Sequence, residues 1–140
     1  MDSQYFYGSY LNLNFDRRRL ALPSRIRESL KDENQIILTI IGDDKCVFGY
    51  SKKTWEEVIV KQELYERSIN SNQGKEIRRG MFSNAVIEEM DAHGRFVVSQ
   101  SLTQKAGIDK SSKVTVIGAG DHFEIWDTKN WEQYKQNTNI

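Results

Sequence analysis

The strongest constraint on this chain is that it repeats itself once. Placing Arg19 on Arg95 sets an offset of 76 residues, and the same offset carries Gly42 onto Gly118 and Trp55 onto Trp131 without a gap. Between these landmarks the pairs Leu20/Phe96, Leu22/Val98, Ile26/Leu102, Thr39/Thr115, Ile40/Val116, Ile41/Ile117, Tyr50/Trp126 and Lys53/Lys129 keep their chemical character. A fixed offset of this kind means that one supersecondary unit is used twice. Each unit reads as a strand running into a charged loop, a second short strand, a short helix, a hairpin around Gly42 or Gly118, and a segment ending in tryptophan. A unit of about 50 residues with a few short strands buries too little core alone, so the copies are expected to intertwine into one pseudo-symmetric barrel. The expected fold is mainly β with short helices (α+β). Repeats span 1–55 and 82–132, a helical connector spans 56–81, and a C-terminal tail spans 133–140.

The strand assignments rest on the β-branched runs from Gln35 to Ile41 and from Lys113 to Ile117, each closed by a glycine turn and apolar enough to be covered on both faces. Cys46 to Tyr50 and His122 to Trp126 return as antiparallel partners. Ser24 and Asp127 stand where helix N-caps are expected, and Pro23 biases Leu22 towards an extended backbone. In the connector, Thr54 to Arg67 has helical composition, Asn70-Ser71-Asn72-Gln73-Gly74 breaks it, and Lys75 to Met81 forms a second helix. Tyr50, Trp55, Trp126 and Trp131 fall behind the hairpins, as core and interface anchors do.

Several function classes are disfavoured. No apolar run approaches the ~20 residues that cross a bilayer, and the start MDSQYFYGSY lacks the basic-then-apolar order of a secretion signal, so a cytoplasmic protein without a membrane partner is expected. Cys46 stands alone, which leaves no intrachain disulfide and no cysteine-based zinc cluster. There is no nucleophile elbow, P-loop or HExxH, and Gly118-Ala119-Gly120 is too short for a dinucleotide fingerprint. His93 and His122 read as turn or surface residues. Neither an enzyme, nor a cofactor, nor a small-molecule substrate is expected.

Charge carries the positive signal. Twenty basic residues balance twenty acidic ones, yet Arg17, Arg18, Arg19, Arg25 and Arg27 fall in one stretch without an acid, while acids gather at Glu56-Glu57, Glu88-Glu89 and Asp121, Glu124, Asp127. Such a basic edge attracts phosphate, and arginine adds bidentate recognition of phosphate or of guanine O6 and N7. The second loop, Asp91-Ala92-His93-Gly94-Arg95, repeats the position of the arginine cluster. Its aspartate can close a turn onto backbone N–H groups and hold the arginine, while glycine permits positive φ at the tip. Lys75, Arg78 and Arg79 read as a solvated helix face.

Phe6-x-Gly8, Arg19-Leu-Ala-Leu-Pro23, Arg27, Trp55, Asp91-x-x-Gly94-Arg95, Gly118 and Phe123-Glu124-Ile125-Trp126 together resemble the MraZ family, bacterial regulators built from two AbrB/SpoVT-type swapped-hairpin modules. The resemblance spans nearly the whole chain. It implies a swapped-hairpin β-barrel, ring-shaped homo-oligomers and a nucleoid-associated regulator. It also implies sequence-specific binding of double-stranded DNA at short direct repeats upstream of the division and cell-wall gene cluster. Carried over by position, Arg19 and Arg95 are the DNA-reading residues, with Arg17, Arg18 and His93 beside them and Asp16, Asp91 and Gly94 supporting the loops; Arg25 and Arg27 are added from charge alone.

Two departures from the family pattern stand out. Phe15 occupies the position of the first loop's aspartate, with Asp16 one residue late, and Arg18 replaces its glycine; Ser99 stands where the first copy has Pro23. Positive φ at Arg18 would store about 1 kcal/mol, so a rearranged first loop and two non-equivalent loops are expected. The alternative reading is an antitoxin-like protein-interaction or scaffold ring with weak or lost DNA binding, which the altered first loop favours.

Overall fold

Alternation along the short apolar runs decides which side chains turn inward, and the computed structural model, which describes residues 5–31, 33–62 and 72–140, orders them accordingly. In the first half, β1 (Ser9–Asn14) passes through a tight turn at Asp16–Arg18 into β2 (Arg19–Ala21), α1 (Ser24–Leu30), β3 (Gln35–Thr39) and β4 (Val47–Ser51). A short α2 (Lys52–Thr54) then widens into a π-type turn over Trp55–Ile59. After α3 (Asn72–Ser83), the second half repeats the order as β5 (Val86–Glu89), β6 (Arg95–Val97), α4 (Gln100–Lys105), β7 (Lys113–Gly118), β8 (Phe123–Asp127) and α5 (Thr128–Thr138).

Among the described residues the strands form a six-stranded antiparallel sheet in the order β1, β7, β8, β4, β3, β5, and a separate two-stranded ribbon of β2 and β6. Exchanging the two halves turns the sheet order into its own reverse. The first strand of each half lies on the hairpin of the other: Tyr10 of β1 faces Val116 of β7, and Ile87 of β5 faces Ile37 of β3. The pseudo-twofold axis passes between β4 and β8, where Phe48 faces its own repeat equivalent Glu124. It passes again through the ribbon, where Leu20 faces its equivalent Phe96.

The sheet buries apolar side chains on both faces. One face carries the larger core, with Phe6, Phe15, Leu20, Ile26, Ile36, Leu38, Phe96, Leu102, Phe123 and Ile125, and is covered by the ribbon, α1 and α4. The other face holds Ile37, Cys46, Phe48, Tyr50, Trp55, Met81, Trp126 and Trp131, beneath α3 and α5. Each large apolar side chain buried in this way stabilises the fold by about 1.5–3 kcal/mol relative to exposure. Buried Thr39 donates through Oγ1 to the Met81 carbonyl, which ties α3 to β3.

The expected closed barrel is not formed by the described strands. β1 and β5 each have a single bonded neighbour, so the sheet stays open. A barrel encloses one interior, whereas Ile36, Ile37 and Leu38 alternate between two cores on opposite faces, an arrangement that needs a sheet covered twice.

Smaller expectations shift as well. The N-cap of α1 is Pro23 without a side-chain cap, and Ser24 is already helical; the equivalent Ser99 does cap α4, accepting from the Leu102 amide at 3.4 Å. Asp127 caps α5 as expected, accepting from the Asn130 amide at 3.1 Å. Asn72, Gln73 and Gly74 lie within α3 rather than break a helix. The rest of that expected break, Asn70 and Ser71, and residues 63–67 of the preceding helical stretch lie outside the described residues. The repeated glycines serve different ends: Gly42 sits at φ +59 in an open turn, whereas a Cβ on Gly118 would meet the Tyr7 backbone nitrogen at 2.3 Å.

Candidate nucleic-acid interface

In the β2–β6 ribbon, period-2 alternation turns Leu20 and Phe96 into the core and leaves Arg19, Ala21, Arg95 and Val97 on the outer face. Arg19 faces Val97 and Arg95 faces Ala21, so the two arginines are diagonal neighbours on one face, a placement that puts such positions about 7–8 Å apart. Both line a cavity of about 600 Å³, together with Leu13 and Asn14 from the end of β1. The ribbon continues into its loops: Val98 donates to the Arg18 carbonyl at 2.9 Å, and Leu22 to the Gly94 carbonyl at 3.0 Å. Both loop tips are thereby fixed relative to the two arginines.

The second loop is held by Asp91. Its Oδ1 accepts from the His93 amide at 2.8 Å and the Arg95 amide at 3.0 Å, and its Oδ2 accepts from Arg95 Nε at 2.8 Å. The Arg95 amide and guanidinium, with the His93 amide, hold the Asp91 carboxyl down at about 2. Arg95 is thus aimed through Nε while its side chain stays 61% exposed. Gly94 takes φ +72 at the tip, and His93 is exposed beside it.

The first loop reaches a related shape by another route. Phe15, at the position of Asp91, is buried in the large core and donates through its backbone to the Ser112 carbonyl at 2.8 Å. The anchor there is an apolar ring instead of a carboxylate. Arg18, at the position of Gly94, nevertheless keeps φ +61, so the expected rearrangement at the tip does not occur; the added feature is Arg17, also left-handed at φ 57. The exposed Asp16 serves the turn through its carbonyl oxygen, which accepts from the Arg19 amide. With Phe15 pinned below and the ribbon bond fixed above, the backbone between them has little choice, and the left-handed cost of about 1–3 kcal/mol is imposed by its surroundings.

Among the described residues Arg17, Arg18, Arg19, Arg25 and Arg27 form no ion pair. The structure brings Arg17, Arg18, Arg19, His93 and Arg95 together around the ribbon. Arg27 joins them from α1, with its stem packed against Gly94, while Arg25 lies exposed on the same helix. Sequence reasoning missed two of these relations. Phe15 reads as a lost loop acid although a single apolar residue before a charged triplet marks an inward anchor, and Gly94 was explained by its φ alone although Arg27 also needs its missing Cβ.

His122 sits in the turn between β7 and β8, as expected, but its side chain is largely covered. Its Nδ1 is 2.7 Å from Asp121 Oδ1, its Nε2 is 2.8 Å from Glu124 Oε2, and its ring lies against Phe48 and Tyr50 with centroids 5.1 and 5.3 Å away. Burial pushes the imidazole down, but bonds to Glu124 and Asp121 outweigh it and leave its pKa raised. Among the described residues no group of three or more His, Cys, Asp or Glu side chains is arranged to hold a metal ion, and no helix is long and apolar enough to cross a membrane.

A family model described as "MraZ protein, putative antitoxin-like" matches residues 7–74 and 81–140. The chain is 35% identical to the transcriptional regulator MraZ of Micrococcus luteus over 92% of its own length and 85% of the relative's. It is likewise 35% identical to the transcriptional regulator MraZ of Caldicellulosiruptor bescii, over 95% of this chain and 88% of that protein. The transcriptional regulator MraZ of a Roseiflexus species is 31% identical over 91% and 84%. With both halves matched and relatives aligned over most of their own length, the chain belongs to the MraZ family.

Proposed function

We propose that this protein is a sequence-specific DNA-binding transcriptional regulator that reads short direct repeats in duplex DNA. The observation that carries the reading is the exposure of Arg19 and Arg95 on one face of one ribbon, beside Arg17, Arg18, Arg25 and Arg27, which form no ion pair among the described residues. In this reading Arg19 and Arg95 enter the major groove. Arg17, Arg18, Arg25, Arg27 and His93 hold the flanking phosphates, and Asp16, Asp91 and Gly94 shape the loops. The exchange of β1 and β5 between halves is the swapped-hairpin arrangement of two repeats, 1–55 and 82–132, joined by the connector 56–81 and followed by the tail 133–140.

A single loop pair binds weakly, because one good bidentate base contact discriminates by about 1–3 kcal/mol and phosphate contacts are screened by salt. A ring-shaped homo-oligomer overcomes this by engaging several boxes together, raising avidity about 10²–10⁴-fold without new contacts. Head-to-tail closure also matches direct rather than inverted repeats. In this reading its operator lies upstream of the division and cell-wall gene cluster, and it works in the cytoplasm at the nucleoid. Fluorescence anisotropy with a duplex from that upstream region tests the reading. Arg19→Ala and Arg95→Ala should each abolish specific binding and leave the assembly intact, and unchanged affinity in both would refute it.

The second reading, an antitoxin-like protein-interaction or scaffold ring, is favoured by Phe15 at the position of the loop acid. A plot of log affinity against log salt separates the two, since a DNA binder has a steep negative slope.

A further inference from the structure

The two loop tips differ in sequence, Arg18 against Gly94, but not in what occupies the space beside them. A Cβ built on Gly94 would lie 2.0 Å from Cδ of Arg27 and 2.9 Å from its Cγ, so the Arg27 stem runs through the place where a tip side chain would begin. The repeat equivalent of Arg27 is Thr103, short and fully buried, so bulk is traded between loop and helix across the pseudo-twofold axis. Arg18 and Arg27 also share a second property: each has a buried Nε without a hydrogen-bond partner, while their terminal nitrogens are not among the buried unpartnered atoms. Since neither arginine is ion-paired, those terminal nitrogens keep access to solvent.

We propose that Arg27, delivered from α1 of the first half, is the tip arginine of the second-half loop, so that both loops present the same pair of guanidinium groups to the DNA. Arg18 stands with Arg19 on one side and Arg27 with Arg95 on the other. In each pair the ribbon arginine is exposed and suited to a base edge, while the tip arginine is held by its buried stem and grips a phosphate. Holding the stem removes most of its rotamer freedom before DNA arrives, so less is lost on binding. The loops are then equivalent in function although unequal in sequence, and Gly94 is required because a side chain there would evict Arg27.

The inference rests on DNA binding as proposed above, and the experiment separates the two. With the upstream duplex as probe, Arg27→Met keeps an apolar stem and removes the charge. It should make the log affinity against log salt slope shallower by ~0.9 for each subunit engaged on the duplex, the loss of one phosphate contact apiece. Arg18→Met should give the same change, and Arg27→Lys, which keeps stem and charge, should retain the parent slope. An unchanged slope in Arg27→Met makes Arg27 a packing strut and overturns the inference; should that variant fail to fold, Arg27→Gln carries the same test. A parent protein that does not bind the duplex refutes the DNA-binding reading instead.

Discussion

Restoring the family's loop acid by Phe15→Asp should unfold the protein rather than repair the loop. Phe15 is 1% exposed within the large core, beneath the turn that carries Arg17 and Arg18. Removing a buried aromatic ring costs about 3–5 kcal/mol in transfer and cavity terms. Placing a carboxyl group there without designed partners adds about 1–3 kcal/mol. A total of about 4–8 kcal/mol is comparable with the whole stability of an ordinary domain, about 5–15 kcal/mol. The reciprocal change, Asp91→Phe, removes an exposed carboxylate and should leave the melting temperature within a few degrees of the parent while loosening Arg95 and abolishing specific DNA binding. Calorimetric melting of both variants, with anisotropy on the folded one, measures the contrast. If Phe15→Asp melted like the parent and bound DNA more tightly, Phe15 would not be the anchor of the first loop and the account of that loop would fail.

Arg18→Gly should relieve the left-handed tip and raise stability by up to about 1 kcal/mol while weakening DNA binding, which melting and anisotropy read together. Gly118→Ala would press a methyl group on the Tyr7 backbone and should cost about 1–3 kcal/mol; a melting temperature unchanged from the parent would contradict the close approach. His122 has a raised pKa when folded, so its contribution is fully present below about pH 6.5 and lost as pH rises through the folded value. Melting temperature should therefore fall on alkalinisation above that point, and this dependence should disappear in His122→Gln. The Cys46 thiol is buried and pushed far up by burial and the nearby Glu124 carboxylate, so it should resist a thiol reagent in native protein and react once unfolded.

Much of this arrangement was legible from the chain itself, because a repeat constrains both copies at once. The offset that pairs Arg19 with Arg95 marks Leu20 and Phe96 as equivalents, and the fold sets these two opposite one another at the pseudo-twofold axis. Strand runs such as Lys113 to Ile117 carried their own β-branched signature. Closure was not legible, since a strand covered on both faces looks the same in sequence whether its sheet is open or curled. Nor was the Arg27 stem beside Gly94: that contact joins residues of different halves, and charge alone says only that Arg27 is basic. The first loop misled because Arg18 was judged by its own backbone preference, whereas Phe15 below it and the Val98 bond above it decide the outcome.

The most direct measurement is the structure of the assembled protein on a duplex carrying several of its repeated boxes. The account predicts the guanidinium groups of Arg19 and Arg95 at hydrogen-bonding distance, ~3 Å, from base edges in the major groove, with the β2–β6 ribbon facing the DNA. A complex in which that ribbon faces away from the duplex would contradict it.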